Sequence, residues 1–216
     1  MDWTAWHANY DQTDSPLRRR LEIVQTHIRR FLAACDRSPV RVISICAGEG
    51  RDLLGAVASQ DRRDIVGRLV EMDPRLASIA RGRALSLGLP QLQIAVADAG
   101  MAAAYEGAVP ADLVLVCGVF GNISDTDVER VINALPTLSA AGATAIWTRH
   151  RRPPDLTVSI REWFTAAGFR ELSFEPVPDS SGSVGVARYE GGVRPMKHQN
   201  LFSFTRRDRD RGGRWG

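Results

Sequence analysis

Apolar positions recur at helical spacing in five stretches of the chain. The first stretch follows Ser15 and Pro16, which are typical of a helix N-cap and first turn, and it runs to about Ala34. The other four also open with a start signal or with the first apolar residue of a helical pattern. Their first residues are Leu53, Asp73, Ser124 and Asp155. The pattern therefore predicts five helices.

Short apolar runs separate these helices and are typical of buried parallel strands. They cover residues 41–47, 65–70, 92–96, 112–117 and 143–148. Three more strand-like stretches follow with no helix between them, at residues 172–177, 184–189 and 201–205. Alternating strands and helices followed by a β-rich end predict an α/β fold: a doubly wound, mostly parallel sheet with an antiparallel C-terminal edge.

The composition is typical of a globular α/β domain. No apolar run approaches the roughly 18 residues that a membrane helix needs, and the first residues lack the features of a signal peptide. The three cysteines are far apart and lack metal-ligand spacing, which fits a reducing compartment and predicts no metal site. We therefore expect a cytoplasmic monomer or homodimer that has no membrane partner.

The positive net charge resides at the C-terminus. Residues 206–214 hold five arginines and two aspartates, which account for the whole formal charge of +3. Such a mixed-charge, glycine-containing end predicts a disordered tail over residues 206–216 and does not favour nucleic-acid binding. Without an internal repeat or linker, residues 1–205 are expected to form a single domain, with an N-terminal arm and helix over residues 1–36.

A glycine-containing turn directly follows the first strand. Its sequence is Cys46-Ala47-Gly48-Glu49-Gly50-Arg51-Asp52. Glycines at a strand-to-helix turn let a ligand approach the backbone, and α/β sheets bind ligands at the carboxyl ends of their strands. The dinucleotide fingerprint would place a third glycine at position 53, where Leu53 stands, so NAD is disfavoured. A plain tight turn remains an alternative.

Acidic residues follow the second and third strands. Glu71 lies about 20 residues past the glycines, where a carboxylate can accept hydrogen bonds from ribose hydroxyls. Asp98 could accept a hydrogen bond from an adenine amino group. A surface glutamate beside the N-cap Asp73 and an ordinary loop aspartate are the alternatives. Cys117 and Gly118 end the fourth strand, where glycine again permits close approach of a ligand.

Together these segments resemble the class I S-adenosylmethionine (SAM)-dependent methyltransferase family over about residues 40–205. Residues 47–50 are similar to its glycine-rich motif, Glu71 to its ribose-binding strand end and Asp98 to its adenine-binding aspartate. The resemblance implies a seven-stranded sheet, SAM as cofactor, and direct transfer of the sulfonium methyl group to a nucleophile. The cofactor-binding residues expected are Tyr10, Ala47, Gly48, Glu49, Gly50, Asp52, Glu71, Met72, Asp98, Ala99, Cys117 and Gly118.

One departure from the family concerns the methionine end of SAM. The acidic position that opens the family's first motif is Ser44 or Cys46 here, and Asp52 stands in place of its third glycine. We therefore expect Asp52 to hold the methionine end.

The acceptor side is predicted from the basic segment Thr148-Arg149-His150-Arg151-Arg152. His150 is the candidate catalytic residue, as a general base, although the arginines could instead hold an anionic substrate, or the segment could be a solvated loop. Further candidates are an aromatic lid with Trp6 and Tyr10, and the polar side chains of Tyr189 and His198. The two aromatic residues could equally serve only to pack the arm.

The expected function is methyl transfer to an oxygen or nitrogen atom of a small molecule. The fourth strand carries no Asn/Asp-Pro-Pro-Tyr-like signature, which disfavours methylation of amino groups in nucleic acids or protein amides. An NAD(P)-dependent oxidoreductase and a non-catalytic SAM-binding module are the alternatives.

Overall fold

A computed structural model describes residues 15–204 of the 216-residue chain. The aromatic arm with Tyr10 and the tail over residues 206–216 lie outside the described residues. The bounds expected for the single domain therefore stay a prediction.

A seven-stranded sheet forms the centre, with the strand order β3-β2-β1-β4-β5-β7-β6. Its strands are β1 Val40–Ile45, β2 Ile65–Glu71, β3 Leu92–Val96, β4 Ala111–Val116, β5 Ser139–His150, β6 Phe169–Pro176 and β7 Gly182–Tyr189. The first five strands pair in parallel, whereas β7 lies antiparallel between β5 and β6. The predicted mostly parallel sheet with an antiparallel edge is confirmed.

Helices cover both faces of this sheet. They are α1 Pro16–Ala34, α2 Arg51–Val57, α3 Pro74–Ser86, α4 Asp125–Leu138 and α5 Thr157–Ala166, with a short 3-10 helix at Ala102–Tyr105. Apolar residues of α1, α2 and α3 form the core on one face, and those of α4 and α5 form it on the other. Because both faces are covered, the central strand β4 is fully buried along its length, which explains its continuous apolar run.

Three of the five predicted helix starts are confirmed by side-chain caps. The side chains of Ser15, Asp73 and Ser124 each accept a hydrogen bond from a backbone N–H in the first turn of α1, α3 and α4. Asp127 does not complete a reciprocal capping box, because its carboxylate accepts from the backbone N–H of Ser203 at 3.3 Å and pairs with Arg130.

The expected strand at residues 201–205 is wrong for its described part. Residues 199–204, here called the C-terminal strap, form only isolated bridges, at Asn200 and at Phe204. The strap crosses from the loop after β3 to the start of α4, and Leu201 donates its backbone N–H to the carbonyl of Gly100 at 2.6 Å. Leu201 and Phe202 are buried because they anchor the strap to the core, and this produced their strand-like pattern.

Strand β6 begins three residues earlier than the expected residue 172. Phe169 opens it directly after Gly168, and Arg170 and Glu171 are exposed on this edge of the sheet. An edge strand is held by backbone hydrogen bonds on one side, so exposed polar side chains hid its start from the apolar pattern.

Candidate functional site

The glycine turn after β1 contains three residues with left-handed backbone. The φ angles are 57° at Cys46, 56° at Gly48 and 70° at Gly50. The left-handed backbone at Gly50 favours glycine, and a Cβ there would lie 2.8 Å from the end of the Leu54 side chain, which would have to shift. The backbone N–H of Ala47 donates to the carbonyl of Val70 at 2.9 Å, which holds the turn next to the end of β2.

Glu71 joins the end of β2 to this turn. Its two carboxylate oxygens accept hydrogen bonds from the backbone N–H groups of Gly48 and Asp73, each at 2.8 Å. These bonds fix the carboxylate, and each oxygen retains a further lone pair for a ligand hydroxyl. Met72 follows with 59% of its surface exposed, which places an apolar side chain beside the carboxylate.

Asp98 is exposed at the end of β3, whereas its neighbour Ala99 is buried. The carboxylate of Asp98 accepts from the backbone N–H of Gly100 at 2.8 Å, and the carbonyl of Ala99 accepts from the hydroxyl of Tyr105 at 2.9 Å. Asp98 therefore presents a carboxylate at the sheet edge, and Ala99 packs in the core beneath it.

The thiol of Cys46 lies near the carboxylates of Glu71 and Asp98. Burial raises its pKa, and the nearby carboxylates of Glu71 and Asp98 raise it further, so the thiol stays protonated. Cys46 stands at one of the two positions where the resembled family has an acidic residue. A neutral thiol here adds no third negative charge to this end of the site.

A third carboxylate, Asp52, stands in the first turn of α2 next to the thiol of Cys117. Burial raises the pKa of Asp52, while Arg20 of α1 and a hydrogen bond with Cys117 act in the opposite direction. Burial also raises the pKa of the Cys117 thiol well above its ordinary value. Asp52 is thus a carboxylate in surroundings that favour a cationic partner.

Glu49 has a different environment from the other acidic residues. Its buried carboxylate pairs with Arg51 at 2.9 Å and with Arg83 at 2.8 Å. These pairs tie the glycine turn to α2 and α3. No cofactor role of Glu49 is needed to explain its charge, and its expected role stays a prediction.

At the end of the sheet where the sequence predicts the acceptor, the loop after β4 lies beside the end of β5. The backbone N–H of Gly118 donates to the hydroxyl of Thr148 at 2.8 Å, and Asn122 donates to the carbonyl of Gly118 at 2.7 Å. The ring of His150 lies against Gly121, 3.8 Å from the position that a Cβ would occupy there. Thr148 was not singled out by sequence reasoning, although its strand-end position could have indicated it.

His150 is the only predicted catalytic residue. Its Nδ1 atom is buried and has no hydrogen-bond partner among the described residues. Burial lowers its pKa, and Arg149 and Arg152 lower it further, which favours a neutral imidazole at neutral pH. A neutral imidazole can accept a proton from an acceptor.

The two polar candidates near the C-terminus differ in exposure. His198 is exposed, whereas Tyr189 is fully buried against Phe169 and donates its hydroxyl to the carbonyl of Gly192 at 3.0 Å. Tyr189 is therefore a core residue and does not line a pocket, which corrects the sequence-based expectation.

The structure thus brings the predicted positions together along one edge of the sheet. Asp52, Glu71 and Asp98 lie around the glycine turn. His150 lies at the end of β5, beside the loop that contains Gly118 and Gly121. Within residues 15–204, no group of three or more metal-ligating side chains could hold a metal ion. In the same part of the chain, no helix is long and apolar enough to cross a membrane.

Solved structures with a similar fold include several methyltransferases. Magnesium protoporphyrin IX methyltransferase from Synechocystis PCC 6803, with bound SAM, has a TM-score of 0.67 and 13% identity, over 87% of this chain and 90% of that chain. An O-methyltransferase family protein from Burkholderia thailandensis has a TM-score of 0.64 and 15% identity, over 88% of this chain and 61% of that chain. A TehB-like SAM-dependent methyltransferase from Corynebacterium glutamicum has a TM-score of 0.54 and 16% identity, over 74% of this chain and 85% of that chain.

No protein-family model and no curated protein matches this sequence. The strand order, the antiparallel β7 and the structural neighbours nevertheless agree. This chain has the fold of the class I SAM-dependent methyltransferases.

Proposed function

We propose that this protein is a SAM-dependent methyltransferase that transfers a methyl group to an oxygen or nitrogen atom of a small molecule. The observation that carries the proposal is the set of three carboxylates, Asp52, Glu71 and Asp98, around the glycine turn at the carboxyl ends of β1 to β3. In open α/β sheets this edge is where ligands bind.

The charges of this set favour SAM over a dinucleotide. SAM carries a sulfonium and an ammonium group, whereas NAD would bring a pyrophosphate with two negative charges to the start of the helix after β1. Here the first turn of α2 carries the partly buried Asp52. A carboxylate at this position attracts the ammonium group and repels the pyrophosphate.

Each part of SAM has a fitting residue. Glu71 would accept hydrogen bonds from the ribose hydroxyls, because its carboxylate is already oriented by two backbone N–H groups. Asp98 would accept from the adenine amino group, and the exposed Met72 would contact the adenine ring. Asp52 would pair with the ammonium group of the methionine end.

SAM supplies an activated methyl group, so the protein needs mainly to orient the acceptor and to exclude water. Gly118 and its partner Thr148 hold the loop after β4 in place beside the end of β5. His150, as a neutral imidazole, would take a proton from an acceptor that binds in its acid form. We further propose that the acceptor is a free small molecule and that the enzyme acts in the cytoplasm.

The test is a turnover assay with mass spectrometric detection of S-adenosylhomocysteine (SAH). The purified protein is incubated with SAM and the small-molecule fraction of a cell extract, and in parallel with SAM alone. We expect SAH above the level without acceptor, together with a product heavier by one methyl substitution. Binding of SAM without any SAH from these mixtures would instead identify a non-catalytic SAM-binding module. A Glu162→Ala variant, at an exposed position of α5, controls for unspecific effects of substitution.

A further inference from the structure

The C-terminal strap lies against the loop that follows β3. The backbone N–H of Leu201 donates to the carbonyl of Gly100 at 2.6 Å. In the opposite direction, the backbone N–H of Ala102 donates to the carbonyl of Gln199 at 3.0 Å. An antiparallel bridge lies between these two bonds. The strap and the loop therefore run side by side, and each holds the backbone of the other.

The same loop carries the carboxylate of Asp98. One oxygen of this carboxylate accepts the backbone N–H of Gly100 at 2.8 Å. Space around Gly100 is tight, because a Cβ there would lie 2.3 Å from the carbonyl oxygen of Phe202 and 3.1 Å from the carboxylate of Asp98. Gly100 thus donates to the carboxylate through its N–H and accepts from the strap through its carbonyl. The position of the strap consequently determines the orientation of the carboxylate.

The strap itself is firmly anchored. Leu201 and Phe202 are 1% and 2% exposed, and they belong to the same core cluster as Ala99 of the loop. Further along the strap, the backbone N–H of Ser203 donates to the buried carboxylate of Asp127 in α4 at 3.3 Å. Close-packed side chains transmit a displacement to their neighbours, so a strap anchored in this way can fix the loop that it contacts.

We propose that the strap is the positioning element of the cofactor site, with Leu201 as its positioning residue. Docking of the strap holds the Asp98 carboxylate in the orientation that accepts the adenine amino group. This inference rests on the proposed function, in which Asp98 contacts the adenine of SAM. In this role the strap acts through Gly100 and needs no contact with the ligand.

A strap that only stabilised the fold would behave differently. Its loss would lower the free energy of unfolding as any truncation in the core does, and the folded protein would bind SAH with unchanged affinity. A positioning strap changes the affinity of the folded protein, and it does so only while the Asp98 carboxylate is present. By linkage, bound SAH also stabilises the docked strap by the same factor that the strap adds to the affinity.

The test compares two leucine-to-alanine variants within one core cluster. Leu201 anchors the strap, whereas Leu138 is fully buried at the end of α4, next to the start of β5 and hence away from the carboxyl ends of the parallel strands. Both variants should have a lower Tm, because each leaves a cavity. In calorimetry, Leu201→Ala should bind SAH about tenfold more weakly, as expected when a hydrogen bond to a charged group loses its geometry. Leu138→Ala should bind SAH like the wild type, and Leu201→Met, which conserves volume, should retain most of the affinity.

Combination with Asp98→Ala tests whether the strap acts through this carboxylate. In the Asp98→Ala background, Leu201→Ala should weaken SAH binding no further, because the contact that it disturbs is already absent. An unchanged SAH affinity in Leu201→Ala, or an equal loss in both backgrounds, would overturn the proposal and leave the strap with a purely structural role.

Hydrogen exchange on the unaltered chain tests the same coupling without a substitution. Saturating SAH should slow exchange of the backbone N–H groups of Leu201 and Ala102 about tenfold, as the reciprocal of the effect on affinity. The control is the N–H of Glu190, which donates to the carbonyl of Gly168 at 2.9 Å, beyond the end of β7 that pairs with the first half of β5. Exchange at Leu201 and Ala102 that slows no more than at Glu190 would contradict the positioning role.

The SAH affinity of the wild-type protein, measured first, separates this proposal from the function on which it rests. A protein that does not bind SAH refutes both. A protein that binds SAH with an affinity independent of the strap refutes only the positioning role.

Discussion

Replacing Glu71 by alanine removes the carboxylate that connects the end of β2 to the glycine turn. Two backbone N–H groups, those of Gly48 and Asp73, lose their acceptor at once. In the SAM complex the ribose hydroxyls would lose theirs as well. The substitution therefore affects the stability of the turn and the affinity for SAM separately.

The magnitude follows from the hydrogen bonds that are lost. Hydrogen bonds to a charged group contribute about 1.5–3 kcal/mol each, but the half-buried N–H groups of the turn can recover part of this from water. We expect the free energy of unfolding to fall by about 1–3 kcal/mol. We expect SAM binding to weaken by a similar amount, which corresponds to an increase in Kd of roughly 5- to 150-fold.

Isothermal titration calorimetry measures the Kd, and urea unfolding measures the stability. The Glu162→Ala variant is the matched control, because Glu162 is exposed on α5 and remote from the sheet edge. A folded Glu71→Ala variant with unchanged Kd for SAM would refute the ribose role and return Glu71 to a purely structural one.

Three further predictions concern Gly100, Asp52 and His150. Gly100→Ala should lower the Tm and weaken SAM binding, because the Cβ of the alanine would lie 2.3 Å from the carbonyl oxygen of Phe202 in the strap. Gly82→Ala is the control in thermal unfolding, because a Cβ at position 82 would have no heavy atom within 4 Å. Wild-type affinity for SAM should fall as the pH is lowered through the raised pKa of Asp52, because only the ionised carboxylate pairs with the ammonium group. In calorimetry, Asp52→Asn should bind SAM about tenfold more weakly and lose this pH dependence. Without SAM at neutral pH, Asp52→Asn should be more stable than wild type, since a raised pKa means that ionisation of the carboxyl group costs stability as the pH rises. His150→Ala should lower kcat and leave the Kd for SAM unchanged. Wild-type kcat should fall on acidification through the pKa of His150, which lies below the ordinary 6.5 of histidine. An unchanged kcat of His150→Ala on the true acceptor would exclude a base role of His150.

Local signals in the sequence were sufficient for most of the fold. Caps such as Ser15 act on neighbouring backbone groups, and fully buried strands such as β4 require a continuous apolar run. Two of the errors involve structure held by distant partners. The strap is buried by contact with Gly100 and does not pair as a strand, and β6 shows polar side chains at the open edge.

The candidate site was predictable in position but not in its internal contacts. Strand ends place Glu71 and Asp98 at one edge of the sheet, because all the parallel strands end there. The pairing of Glu49 with Arg83 spans 34 residues of sequence and leaves no local pattern. The raised pKa of the Cys46 thiol likewise depends on burial by the fold and on two carboxylates that come from the ends of other strands.

Calorimetric titration of the purified wild-type protein with SAM, SAH and NAD tests the central claim most directly. The carboxylates of Asp52, Glu71 and Asp98 predict binding of SAM and SAH in the micromolar range, about 8 kcal/mol, and no binding of NAD. Clear binding of NAD together with no heat from SAM or SAH would contradict the account and favour an oxidoreductase on a similar sheet.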